Sequence, residues 1–506
     1  MSDYIKQLQE LIAMPAAMPA AKPADFNDYV KHLENLMKTS EANTIVTAPV
    51  VAPAVAPAVA PVAANPNTNI QSLINASVGI KEVKQPSTSY DGRKLNFMLV
   101  STHLHQVTGY SKVSYNIIDQ LTKNPWLNIM HYGFQRLPSR TDYEGRTYPP
   151  NVKVFDAITL EKPAKQGFGY AELPAIIDQS KPDVVMIYND MAVIHNFLEA
   201  IKKSGIKRTF QIWLYVDQVY NCQLAGYIDL INREADRVFA FTSYWRDCLK
   251  EQGVHRPIDI IHHGFDEKMF YTMPKSMARK KLNLPEDIFT FMTVNRNQPR
   301  KRHDLLIMAF VELLVKYPNR AIALLCVCDK GEKGGWWLFE IFARELKRRN
   351  VPIERFGNRL MITQRDMDFK DEEINTFYNA ADVCISTADG EGWGLCTFES
   401  MGVGTPQIVP DVGGHKEFCN TDNALVVKPK FRYYLPMVFC PVGGEAEACD
   451  PHDICLAMET YVNDSELMAK HGAAGAATVK KYTWDSAVKQ LVRRLKQQHE
   501  DILDNN

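Results

Sequence analysis

Residues 382–410 read DVCISTADGEGWGLCTFESMGVGTPQIVP, and their local pattern decides the fold. DVCIS is an apolar run of strand length, TADGEGWG a glycine-bearing loop, LCTFESMGVG a helix closed by glycine, and PQIVP a second apolar run. A strand, a loop, a helix and another strand of this kind form one βαβ unit with parallel strands. The alternation continues on both sides of it. FTFMTVN (289–295), AIALLCVC (321–328) and RLMIT (359–363) precede it, and NALVV (423–427) follows. An earlier series comprises LNFMLVS (95–101), NIMHYGF (128–134), DVVMIY (183–188), TFQIWLYV (209–216) and RVFAFT (237–242). Near-continuous apolar strands belong to parallel sheets covered on both faces. Two series joined near residues 265–287 therefore predict an α/β protein with two doubly wound, Rossmann-like domains facing across a cleft. The expected boundaries are 91–275 and 276–480, followed by a C-terminal helix over 481–506.

A chain of 506 residues exceeds what one core organises, in keeping with this division. Lysine plus arginine (58) and aspartate plus glutamate (59) nearly cancel, which argues against a nucleic-acid binder held by a global basic field. The opening MSDYIKQLQELIAMP carries charges where a signal peptide needs an apolar core, and no apolar run has the length of a membrane span. A cytoplasmic protein without a transmembrane segment is expected. The ten cysteines form no CxxC pair, so buried, reduced thiols are the plain reading.

Residues 1–90 differ in kind. DYIKQLQEL (3–11) and DYVKHLENL (28–36) repeat Asp, Tyr, Lys and two Leu at helical spacing, and an Ala/Pro-rich spacer separates them from the rest. The arm is read as low-complexity, largely disordered chain carrying two short helices. These are either a docking or self-association motif or weak helices that bind nothing.

Chemistry is sought in the loops after the strands. Gly390, Gly392 and Gly394 let backbone approach a ligand, and the helix start behind them offers free N–H groups to a phosphate. Glu391 in the loop is placed to reach a group beyond the phosphates. Glu399, about a turn into the helix, is placed to accept hydrogen bonds from a vicinal diol such as a ribose. Alone, the pair would read as a solvent-facing loop glutamate and a helix-surface glutamate. VNRNQPRKRHDLLIMAF (294–310) adds Arg296 and Lys301 after the second domain's first strand, where two cations would neutralise a diphosphate.

Together these segments resemble family 4 of the retaining glycosyltransferases, of GT-B fold and related to the glycogen-synthase and glycosyltransferase group 1 enzymes. The family's two glutamates separated by seven residues match Glu391 and Glu399, and the following GVGTP fits its small-residue run. Its Arg, four residues and Lys match Arg296 and Lys301, with Asp304 to Leu306 in register. IIHHGFDEKMF (260–270), DVGGHKEF (411–418) and YTWDSAVKQLVRRL (482–495) extend the likeness to roughly residues 93–497.

The resemblance implies transfer of a sugar, with retention, from a UDP- or GDP-linked donor to a glycan, protein or small-molecule acceptor. No cofactor or metal is implied. Arg296, Lys301, Glu391 and Asp217 are the implied catalytic set. Gly109, Gly392, Trp393, Gly394, Leu395 and Glu399 complete the donor-binding set. Two departures stand out. Asp217, in IWLYVDQVYN, lies where the family often has a histidine, and FRYYLPMVFCPVGGEAEACD (431–450) is longer than the usual connection. His103, His105, His262 and His263 read as ordinary loop histidines. A sugar-nucleotide epimerase, a phosphorylase and a degenerate binding scaffold are the competing readings of the same fold.

Overall fold

The computed structural model describes residues 92–136, 146–161, 166–329, 335–363, 369–436 and 440–504. The repeated helices and spacer of the N-terminal arm lie outside these residues. The first domain is built on a seven-stranded sheet ordered β3-β2-β1-β4-β5-β6-β7. Its strands are β1 (Leu95–Thr102), β2 (Leu127–Phe134), β3 (Val152–Asp156), β4 (Val184–Asn189), β5 (Gln211–Val216), β6 (Arg237–Ala240) and β7 (Ile258–Ile260). The second domain's six-stranded sheet is ordered β10-β9-β8-β11-β12-β13. It comprises β8 (Phe289–Val294), β9 (Ile322–Val327), β10 (Leu360–Ile362), β11 (Val383–Ile385), β12 (Gln407–Pro410) and β13 (Leu425–Val427). Every pairing within both sheets is parallel, in the GT-B arrangement the resemblance implied.

Burial explains why the strands were legible. β1, β4 and β9 are buried at nearly every position, so their sequences carry no polar alternation. The two strands without a sequence signal are edge strands: β3, VKVFD, exposes a lysine, and β7 has only three half-buried residues. Segment 431–450 folds as an antiparallel hairpin of β14 (Phe431–Tyr434) and β15 (Glu445–Ala448), separate from the main sheets.

The chain passes between the domains twice, and the two passages touch. Phe265 N–H donates to Tyr482 O at 2.7 Å, and Phe265 and Thr483 form a parallel bridge. The terminal helix Trp484–Asp504 then returns to the first domain. There Arg494 forms a two-pronged pair with Asp259 (2.9 and 2.8 Å), and His499 stacks on Trp126 at 5.5 Å. The order of each sheet reverses direction between β1 and β4, and between β8 and β11. Crevices at the carboxyl ends of strands open at such reversals. The loops after these four strands meet across one cleft of about 1290 Å³.

Candidate active site

Two helix starts face one another in the cleft. On the first domain's side, Thr108 caps the helix Gly109–Thr122 in a reciprocal box with Ser111, each side chain accepting from the other's backbone N–H at 3.2 Å. On the other side the helix Leu395–Gly402 starts at Gly394, whose φ of +92° is a left-handed conformation. A Cβ on Gly394 would also lie 2.7 Å from His415 Nε2, so glycine is required twice over. A Cβ on Gly109 would lie 2.9 Å from Leu395 Cδ1, which brings the two starts into contact. Both helix starts line the same cleft, where their N–H groups and positive dipole ends favour an anion.

The cations stand around it. Arg296 lines the cleft from the loop after β8, and Lys301 ends the short turn Pro299–Lys301 in the same loop. Lys301 Nζ pairs with Glu391 Oε1, and Arg300 Nη1 reaches Glu391 Oε2 at 3.2 Å and Gly390 O at 3.1 Å. Burial alone would push the Glu391 carboxyl up, but Lys301 and Arg300 outweigh it and hold it at about 2. Lys301 is pulled the other way: burial and the Arg300 charge beside it lower its pKa against the attraction of Glu391. One carboxylate shared by two cations leaves an excess of positive charge, which a bound anion would neutralise. Both oxygens of Glu391 are engaged, yet each keeps a lone pair for a ligand hydroxyl.

Glu399 is buried a turn into its helix. Its Oε2 accepts from Tyr378 OH at 3.1 Å, and its Oε1 pairs with Lys112 Nζ at 2.5 Å, a residue of the opposite domain. Lys112 is shared with Asp371 at 3.0 Å, and Arg146 adds a second cation to Asp371 at 2.9 Å. For Asp371, burial acts upward, but these two cations dominate and depress the carboxyl. Glu399 differs: burial, reinforced by the Asp371 charge, raises its carboxyl despite Lys112. A hydrogen-bond donor such as a diol would relieve that cost.

Asp217 follows β5 and abuts the glycine loop, since a Cβ on Gly392 would fall 2.2 Å from its Oδ1. Its Oδ2 accepts from Tyr110 OH at 2.5 Å, while Oδ1 is enclosed and has no partner among the described residues. Burial raises this carboxyl to about 6, with Asp190 and Glu391 adding to the rise and Tyr110 and Arg300 opposing it.

Trp393 is 2% exposed, with its ring packed against Phe398 (5.2 Å) and Phe418 (5.3 Å), so its side chain anchors the loop. Trp245 of the first domain ties the same loop by donating to Gly392 O at 2.9 Å. The structure thus brings the implied catalytic and donor-binding residues together in one cleft, which Gly109, Asp217, Arg296, Lys301, Glu391, Gly392, Trp393, Gly394, Leu395 and Glu399 line, whereas Gly390 packs on Tyr220 of the first domain, 2.4 Å from where its Cβ would stand. Sequence reasoning missed Lys112, Arg146, Arg300 and Asp371. Arg300 was visible in RKRH as a third cation of the cluster. The others acquire meaning only from partners more than 200 residues distant, as the 287-residue separation of Lys112 and Glu399 illustrates.

Residues 274–432 match the family model described as glycosyl transferases group 1, so the likeness drawn from Arg296, Lys301, Glu391 and Glu399 falls within the matched segment. Among curated relatives, D-inositol 3-phosphate glycosyltransferase of Streptosporangium roseum is 27% identical over 157 residues, 31% of this chain and 34% of that protein. The protein of the same name from Nocardia farcinica is 32% identical over 188 residues, 36% of this chain and 39% of the relative. The matches thus span between a third and two fifths of these two relatives. Among solved structures, sucrose-phosphate synthase of Thermosynechococcus elongatus superposes with a TM-score of 0.61 at 18% identity, covering 81% of this chain and all of that one. HepE of Anabaena, solved in complex with UDP-glucose, gives 0.58 at 16% identity, covering 80% of this chain and 100% of its own. At these identities the structural likeness concerns the fold. Among the described residues no helix is long and apolar enough to cross a membrane.

Proposed function

We propose that the chain is a metal-independent, retaining glycosyltransferase that moves a sugar from a nucleoside diphosphate sugar to a hydroxyl acceptor. One observation carries the reading: two helix starts and the cations Arg296, Arg300 and Lys301 line one cleft together with Glu391 and Glu399. Three ligand parts fit in that order, with Glu391 toward the sugar, Arg296, Arg300 and Lys301 around the diphosphate, and Glu399 toward the ribose diol. A UDP-linked sugar is the first donor to test, because HepE of Anabaena was solved with UDP-glucose.

In the reaction, the bond between the anomeric carbon and the diphosphate oxygen breaks, and a bond from the acceptor oxygen forms on the same face. The acceptor proton passes to an oxygen of the departing diphosphate. The cations and helix starts stabilise the charge that develops on this leaving group, and the two domains hold the reactants in line. Asp217, beside Gly392, takes a hydrogen bond from a hydroxyl of the donor sugar or the acceptor through its unpaired Oδ1.

The test is titration calorimetry with UDP, GDP and their sugar conjugates, followed by product analysis with and without acceptor. Glu399→Ala should weaken free nucleotide and nucleotide sugar alike, whereas Glu391→Ala should spare the free nucleotide and damage transfer. Equal losses for free nucleotide in both variants would defeat this division of roles. An epimerised nucleotide sugar formed without acceptor would defeat the transferase reading.

A further inference from the structure

The hairpin β14–β15 leaves the second domain and reaches the first. Leu224 N–H donates to Val442 O at 3.0 Å, Glu445 N–H to Asn221 O at 3.0 Å, and Tyr227 OH to Pro441 O at 3.4 Å. On its own side the hairpin is held by Tyr433, whose hydroxyl donates to Asp389 and accepts from Arg302 Nη1 at 3.2 Å. Tyr220 of the first domain donates to the other oxygen of Asp389 at 2.9 Å, so both domains and the hairpin meet at one buried carboxylate. Leu435, Pro436, Pro441 and Val442 thereby form an apolar wall of the cleft.

Facing that wall are polar groups of the first domain. Asn189, Asp190 and Asp217 line the cleft from the loops after β4 and β5. Asp190 caps the helix Met191–Lys203 through Oδ1, at 3.0 Å from Val193 N, and lies close enough to Cys440 of the hairpin for its charge to be felt there. Asp217 presents its unpartnered Oδ1. Among the described residues that line this end from the first-domain loops after β4 and β5 and from the hairpin, none is a lysine or arginine; Arg146, which lines the cleft from the loop after β2, is committed to Asp371, Gln106 O and Ser111 Oγ. Arg300, whose charge acts on Asp217, is committed to Glu391 and Gly390 O.

We propose that this end of the cleft is the acceptor subsite and that it takes an uncharged, hydroxyl-rich ring, an unphosphorylated sugar or cyclitol, in preference to its phosphate ester. The proposal rests on the transfer reaction proposed above. Ring hydroxyls donate to the carboxylate and amide oxygens, and the C–H face of the ring packs on the proline, leucine and valine wall. A phosphate would enter against two carboxylates with no uncommitted cation beside them among those lining residues, which excludes it by repulsion.

The experiment uses the full chain saturated with whichever nucleoside diphosphate it binds, at pH 8, where Asp217 is ionised. Glucose with glucose 6-phosphate, and myo-inositol with D-inositol 3-phosphate, are compared as matched pairs by saturation-transfer NMR and as acceptors of the corresponding nucleotide sugar. The uncharged member of at least one pair should bind and react about tenfold better or more than its ester. Asp190→Asn, which preserves the helix cap while removing a charge, should narrow that ratio by about threefold. Equal or better use of the phosphate ester overturns the proposal, as does binding of neither member to a protein that binds nucleotide. An unchanged ratio in Asp190→Asn also counts against the subsite as drawn. Failure to bind any nucleotide would instead remove the transferase reading itself, and the proposal with it.

Discussion

Replacing Asp217 by asparagine should stabilise the protein at neutral pH and leave it nearly unaffected in acid. The carboxyl rises from 3.8 to about 6 because it is buried beside Asp190 and Glu391. A raised carboxyl pKa means that the folded state favours the protonated form. The associated stability is therefore fully present below pH 3.8 and is lost as pH climbs through about 6. The whole difference is worth about 3 kcal/mol, of which roughly 2 kcal/mol falls between pH 4.5 and 6.5. Asparagine keeps an oxygen for Tyr110 and does not titrate, so it removes this loss. Urea denaturation of both proteins at several pH values from 4.5 to 7.5 reads the effect as a gap that widens by roughly 2 kcal/mol and then flattens. A gap that stays constant with pH would refute the reasoning, because a constant offset reports packing and not ionisation. Transfer should move oppositely. Wild-type turnover should fall below about pH 6 as the carboxylate is lost, and the variant should show a low, flat profile.

Other perturbations reach the remaining parts of the site. Arg296→Ala and Lys301→Ala should each lower turnover by about two orders of magnitude or more, and EDTA should leave the wild-type rate unchanged; inhibition by chelator reversed by manganese would defeat the metal-independent mechanism. Lys112→Met strands Glu399 and leaves Asp371 with Arg146, so urea denaturation should show a loss of about 3–5 kcal/mol, and a loss under about 1 kcal/mol would mean the ion pairs contribute little. Gly394→Ala forces a side chain into a left-handed backbone at a cost of about 1–2 kcal/mol and against His415, so both melting temperature and nucleotide affinity should drop; unchanged affinity would show that the loop does not shape the donor site. A chain lacking residues 1–85 should retain nucleotide binding, and light scattering on both forms tests whether the arm mediates self-association.

What the sequence by itself determined is local in the chain. Periodicity and unbroken apolar runs disclosed eleven of the thirteen strands of the two sheets, because strands buried on both faces cannot carry polar residues. The spacing of Glu391 and Glu399 around Gly394 was legible for the same reason: one loop and one helical turn set their separation, and no distant residue is needed to define it. The edge strands β3 and β7 escaped, being too short or too exposed for a pattern. The length of 431–450 was visible in sequence, but not that it folds back as a hairpin onto the first domain.

Tertiary structure alone decided the charge state of the site. Whether Lys112 answers Glu399, or Arg146 answers Asp371, depends on two domains meeting at one register, and the partners lie hundreds of residues apart. Asp217 has the same composition-level identity as any loop aspartate. Its raised pKa and unpaired oxygen arise only once Gly392 of the other domain closes over it. Electrostatics in a cleft is a property of which groups share a low-dielectric volume, and that volume is created by folding.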